Sequence, residues 1–261
     1  MPPGIAPRDA RARRFLFWTG LAALVGLSWL YLVRMNVGMS AAMSAMARPA
    51  MAMRPGWREF SAAFLMWTVM MAAMMGPTLP RMLSLFMDMT ARRSPGVSTS
   101  GRAAAFAGGY FVVWTGFAAI AAVAQTALMR ATLLTPMAQS ASAALSAGVL
   151  LAAGAFQFTA LKEACLVKCR TPLGFLLAEW RDGAAGAFAM GLDHGRFCVG
   201  CCWALMAVMF VVGAMNLLWM ATLTVVVLGE KLAPPSWRLR HAIGATLLGL
   251  GIFVAACLVV R

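Results

Sequence analysis

Charged side chains are scarce in this sequence, at 11% of residues, and no stretch is polar and long enough to form a separate soluble domain. A soluble chain carries about a quarter charged residues. No phosphate-binding glycine loop of the Walker type is present, which excludes a pump that hydrolyses ATP by itself. No His-Glu-x-x-His pair, no Ser/His/Asp pattern and no clear carboxylate pair is present either, so hydrolytic chemistry has no visible machinery and the chain reads as a non-enzyme. No internal repeat is found.

What is there instead is apolar: 62% hydrophobic residues and a mean hydropathy of +0.80. They fall in runs of about 17–25 residues, the length that crosses a hydrocarbon core of ~30 Å. The expectation is an all-α, polytopic transmembrane bundle of about seven spans in a lipid bilayer. The spans are placed near Phe15–Val33, Phe60–Leu79, Ala103–Met129, Ala141–Leu161, Ala184–Val212, Met215–Gly229 and His241–Val260. The unbroken run from Phe197 to Gly229 would make one helix of about 50 Å, too long for one crossing. Gly213-Ala-Met-Asn216 supplies a turn, so the run is read as a hairpin. The first run follows Arg8, Arg11, Arg13 and Arg14 and resembles a signal peptide. Its 19 residues exceed the usual apolar core of such a peptide, and it is read as an uncleaved span.

The formal charge of +14 does not point to nucleic acid, because the basic residues sit at the ends of apolar runs. With the N-terminus inside, fifteen Lys and Arg fall on the cytoplasmic side and six outside, Arg196 uncounted. The expected organisation is a basic cytoplasmic N-terminus (1–14), a first span with a Met-rich outer loop (15–56), and a six-span membrane domain (57–261). Ala144, Gly148 and Ala152 in the fourth span, and Ala187, Gly191 and Gly195 in the fifth, have the spacing of helix-packing seams.

Sulfur is the unusual feature. Five of the six cysteines form two groups. Cys165 and Cys169 are four residues apart where the fourth span ends. Cys198, Cys201 and Cys202 are three and four apart in the fifth. Each group shares a helix face, and both lie toward the cytoplasmic side. Lys162, Lys168 and Arg170 flank the first pair, and nearby cations favour thiolate. Thiolates select soft or borderline ions. Plain packing is the competing reading, and for the lone Cys257 in the last span it is preferred.

Methionine favours copper. The outer loop carries Met35, Met39, Met43, Met46, Met51 and Met53 within 19 residues. Exposed thioethers bury little area but bind Cu(I) without a charge; an amphipathic segment on the lipid surface is the alternative. Met66, Met70 and Met74 share a face of the second span, and Cys198, Cys202, Met206 and Met209 make one stripe of the fifth. The two antiparallel spans would line a route from outer thioethers to inner thiols, with Gly76-Pro77 breaking the second span at its inner end. Cu(I) is the first metal expected and Zn(II) the second. His194 is a further candidate ligand that Asp193 would orient; both residues ending a span at headgroup level is the alternative. Glu230-Lys231 is read as an interfacial pair ending the sixth span, and His241 as interfacial.

Three blocks carry a family resemblance: WTVMMAAMMGPTLP (Trp67 to Pro80), FQFTALKEACLVKCRTP (Phe156 to Pro172) and GLDHGRFCVGCCWALM (Gly191 to Met206), continuing to Glu230-Lys231. With these the chain, from about Trp57 to Val260, resembles the bacterial and archaeal predicted metal-binding integral membrane proteins, a domain of unknown function. The resemblance implies a multi-pass bacterial inner-membrane protein that binds a metal ion. The expected function is soft-metal transport or delivery, with a metal-donor or metal-acceptor protein as partner. Cys165, Cys169, Cys198, Cys201 and Cys202 would form the tight site, and Met66, Met70, Met74 and Met206 the relay. Two other readings stay open: a membrane thiol oxidoreductase using the Cys198-Val-Gly-Cys201 spacing, and a structural subunit whose cysteines only pack.

Overall fold

The computed structural model describes residues 7–45, 56–135, 138–234 and 238–259, with side chains described in 11–38 of the first segment. The chain is all-helical, and no strand occurs among the described residues. In order, the helices are α1 (Pro7–Ala45), α2 (Trp57–Met75), α3 (Pro80–Arg93), α4 (Thr99–Arg130), α5 (Ala143–Phe156) and α6 (Ala160–Arg170). Then follow α7 (Pro172–Glu179), α8 (Gly183–Ala207), α9 (Met209–Val212), α10 (Leu217–Leu232) and α11 (Leu239–Val259).

Among the described residues, five segments are long and apolar enough to cross a membrane: Arg11–Gly38, Trp57–Thr78, Thr99–Arg130, Gly183–Val212 and Leu239–Val259. The expected fourth span is instead a broken pair, α5 and α6, bent by 64°. Counted as one span, it raises the total to six. The expected sixth, α10, has 16 residues and reaches only about 24 Å at ~1.5 Å per residue. The count of about seven is therefore not confirmed. The turn at Gly213–Asn216 is where the sequence places it: Gly213 has φ +94°, and the Asn216 side chain accepts from the amides of Leu218 and Trp219 to start α10.

Two local breaks shape the interior. Pro77 has no N–H, so the carbonyl of Ala73, four residues earlier, loses its helical donor. The Trp29 indole of α1 donates to it at 3.1 Å. A 3-10 turn, Gly76–Thr78, then leads to Pro80 at the start of α3. The second break falls at Gln157–Phe158. Thr159 restarts the chain as α6 by accepting from the Lys162 amide at 3.2 Å.

α4 packs against both α2 and α8. Its contact with α8 is backbone to backbone: a Cβ on Gly191 would strike the Phe106 carbonyl, and one on Gly109 the Phe188 carbonyl. The seam expected at Ala187, Gly191 and Gly195 is thus a real close approach. The seam expected in α5 is not. Ala144, Gly148 and Ala152 are exposed, whereas Ala147, Leu150, Ala153 and Gly154 are buried. α5 meets α11 through Gly154, Gly244 and Gly251 instead. In an alanine-rich helix small residues recur at four-residue spacing on every face, so the spacing does not identify the packed one.

Candidate metal centre

The site lies where α6, α8, α10 and the Gly76–Thr78 turn meet. α8 contributes Cys198, Cys201 and Cys202, all buried to within 1% exposure. The thiols of Cys201 and Cys202 donate back to the Cys198 carbonyl at 3.1 and 2.9 Å. The bend before α6 lays Cys165 and Cys169 against α8. Cys165 Sγ fills the space above Gly200, 2.7 Å from where a Cβ would stand there. Cys169 lines a small cavity together with His194 and Lys231, on the side of the thiols of α8. Two groups separated by some thirty residues of sequence therefore meet in space.

Cys198 is the hub. Lys231 Nζ donates to its sulfur at 2.8 Å and reaches Thr78 Oγ1 at 3.4 Å. Tyr110 Oη lies 3.0 Å from the same sulfur and 3.0 Å from Thr78 Oγ1. Tyr110 also donates to the Met75 carbonyl at 3.3 Å, which Thr78 meets at 2.8 Å. The helix break at Pro77 thereby turns one carbonyl and one hydroxyl toward the sulfurs.

The expectation of an interfacial Glu230-Lys231 pair is corrected. Both residues are buried and they face opposite ways. Lys231 reaches the thiols. Glu230 holds Lys162 through both oxygens, at 2.9 and 2.7 Å, and its carbonyl accepts from Arg170 Nε at 2.6 Å. The cations beside Cys165 and Cys169 in sequence are thus engaged elsewhere: Lys162 and Arg170 on Glu230, Lys168 over the Phe197 ring. The positive charge at the thiols comes from α10.

His194 sits one turn before Cys198 and is buried. Its ring packs among Phe106, Tyr110 and Phe175, with centroids 5.4–5.9 Å away. Its Nδ1 has no hydrogen-bond partner. Asp193 does not orient it; that carboxylate pairs with Arg181 and Arg196, each at 3.0 Å. A small cavity of about 20 Å³ opens beside His194, Cys169, Lys231, Thr78 and Arg81, room for about one water-sized body.

Among the described residues, no three Cys, His, Asp or Glu side chains already converge as a ligand group. The reason is visible in the hydrogen bonds. Cys201 and Cys202 point at a carbonyl, and Cys198 is held by Lys231 and Tyr110. Of the expected relay, Met70, Met74 and Met206 are fully buried in the core, while Met66 lines a cavity at the other end of the bundle. Cys257 is exposed, so it is not a packing filler within this chain. Met46, Met51 and Met53 lie outside the described residues, and the side chains of Met39 and Met43 do too.

The residues missed from sequence are Lys231, Tyr110 and Thr78. Tyr110 is one of only two tyrosines, and Lys231 is a charge adjoining an apolar run; both were signals available without coordinates.

Fold and site together define an all-helical bundle with three buried thiols on α8, one of them seated on a lysine, and two part-buried thiols on α6 beside them. The chain belongs to the family described as "PpoB2: Copper chaperone", whose model matches residues 64–254. The match takes in every residue of the cluster and begins within α2, so α1 lies outside it. No curated protein and no solved structure matches the chain.

Proposed function

We propose that this chain is an integral membrane copper chaperone. It takes Cu(I) as cargo at Cys165, Cys169, Cys198, Cys201 and Cys202 and passes it to an acceptor protein, without catalysing a reaction. One observation carries the reading: in a member of a copper chaperone family, the part-buried cysteines of α6 are laid against the buried cysteines of α8. Thiolates suit a soft ion, and the unpartnered Nδ1 of His194 is a spare donor at the same place. Loading turns the Cys201 and Cys202 thiols off the Cys198 carbonyl and toward the ion, and Lys231 leaves the Cys198 sulfur. The small cavity by Cys169 and Arg81 is the path to the acceptor. Five long apolar helices and a bent pair support placement across a bilayer. The excess of Lys and Arg near the thiol end supports the bacterial inner membrane, N-terminus and thiols cytoplasmic.

The test is copper per chain, measured by mass spectrometry on reduced protein loaded with copper and zinc in competition. About one tightly held copper per chain is expected once weakly bound metal has been removed by a competing chelator, and it is lost in Cys198→Ser/Cys202→Ser. Retention of less than about 0.1 copper, unchanged in that variant, rejects the reading.

A further inference from the structure

The thiol cluster leaves unused a second cavity, of about 380 Å³, at the opposite end of the bundle. Four thioethers line it: Met35 from α1, Met66 from α2, Met129 from α4 and Met215 from the turn before α10. They come from four separate segments, so no helical periodicity brings them together. Met66 is buried, but Met35, Met129 and Met215 are only half-buried. Met35, Met129 and Met215 pack against the core on one side and line the cavity on the other.

The surroundings hold these sulfurs in place. Gln125 also lines the cavity; its Oε1 accepts from the Trp67 indole at 2.7 Å, and its Nε2 reaches Met129 Sδ at 4.0 Å. Asn36 Nδ2 donates to the Met215 carbonyl at 2.7 Å, tying the turn to α1. Among the described residues, Glu59 is the only charged one in the lining, and it is negative. Uncharged soft donors beside one carboxylate suit a monovalent soft cation. They suit neither a hard divalent ion, which wants several oxygens, nor an anion.

We infer that the cavity lined by Met35, Met66, Met129 and Met215 is a second, weaker site for Cu(I), at the far end of the molecule from the thiols. This rests on the copper reading above and extends it to where the ion is first taken up. Thioethers hold Cu(I) less tightly than thiolates, so the two sites make a gradient directed toward Cys198. Met66, Met70 and Met74 lie on one face of α2 and cover about 12 Å of the distance at ~1.5 Å per residue. The break after Met75 delivers that face to Thr78 and Tyr110, which touch Cys198 or its partners.

The probe is Cu(I) titrated into the full reduced chain in detergent, against a chelator series that resolves tight from weak binding. Wild type is expected to show two classes. Met35→Leu/Met129→Leu/Met215→Leu, which keeps volume nearly constant, should weaken the weak class at least tenfold and leave the tight class alone. Cys198→Ser/Cys202→Ser should do the reverse. If the methionine variant keeps both classes at wild-type affinity, the inference is overturned while the thiol reading stands. If the cysteine variant keeps the tight class while the methionine variant loses the weak one, the outer site stands and the thiol reading fails. Met129→Leu alone, expected to weaken the weak class severalfold, keeps the test open should the triple variant not fold; no change in it counts against the site. Ag(I) bound to a chain with Cys165, Cys169, Cys198, Cys201 and Cys202 all changed to Ser should show a shell dominated by sulfur by X-ray absorption, and a shell of nitrogen or oxygen without sulfur contradicts thioether binding.

Discussion

Lys162→Met is the most informative single substitution outside the sulfurs. In the folded chain Lys162 is 0% exposed and Glu230 1%, and the ammonium lies 2.7 and 2.9 Å from the two carboxylate oxygens. Removing the ammonium leaves a buried carboxylate without its ion-pair partner, with Arg170 engaged on the Glu230 carbonyl instead, which costs about 3–5 kcal/mol. For a chain of this size that is a fall in midpoint of roughly 6–20 °C. Lys162→Met/Glu230→Met removes both charges and should recover most of the loss, since replacing a buried pair by apolar groups is commonly neutral or better. The assay is thermal unfolding in detergent of wild type, both single variants and the double, read as a mutant cycle. Glu230 anchors α10 to α6, and the next residue is the lysine on Cys198; the single variant should therefore also bind copper more weakly. A Lys162→Met protein within about 0.5 kcal/mol of wild type, or a double variant as unstable as the summed singles, refutes the pair as drawn.

Three further substitutions follow from the same contacts. Gly200→Ala meets only the rotatable Cys165 thiol, so it should cost about 1 kcal/mol and turn Cys165 outward, seen as faster alkylation in a chain with Cys165 as its only reactive thiol. Gly191→Ala meets the backbone carbonyl of Phe106, which cannot rotate away, and should lie at or above the upper end of the about 1–3 kcal/mol typical of overpacking, measured by loss of folded protein. Tyr110→Phe removes contacts to Cys198, Thr78 and the Met75 carbonyl, and should lower stability by about 0.5–1.5 kcal/mol with Lys231 and Thr78 still in place.

The helices were largely legible from hydropathy, because a run of twenty apolar residues has few other solutions. The hairpin before α10 was legible too, since Gly213 and Asn216 are the residue types that its backbone and its helix cap require. Cys165/Cys169 and Cys198/Cys201/Cys202 were legible as helix faces through their spacing. Their meeting depends on the bend at Gln157–Phe158, which packs against Gly244 of α11, a neighbour more than eighty residues on in sequence. Glu230-Lys231 was misread because a charged pair at the end of an apolar run ordinarily meets headgroups. Here the partner of Glu230 lies 68 residues away in sequence and that of Lys231 lies 33 away, and one-dimensional patterning cannot pair them. Met66 was legible as a sulfur on a buried face, yet its cavity is completed by Met35, Met129 and Met215, which share no periodicity with it.

A copper chaperone of this form holds one ion jointly between α6 and α8. The direct measurement is copper X-ray absorption on chain loaded with one equivalent of Cu(I), in wild type and in Cys165→Ser/Cys169→Ser. A sulfur shell that loses intensity when the α6 cysteines are removed is the predicted result. An identical shell in both proteins contradicts a shared site.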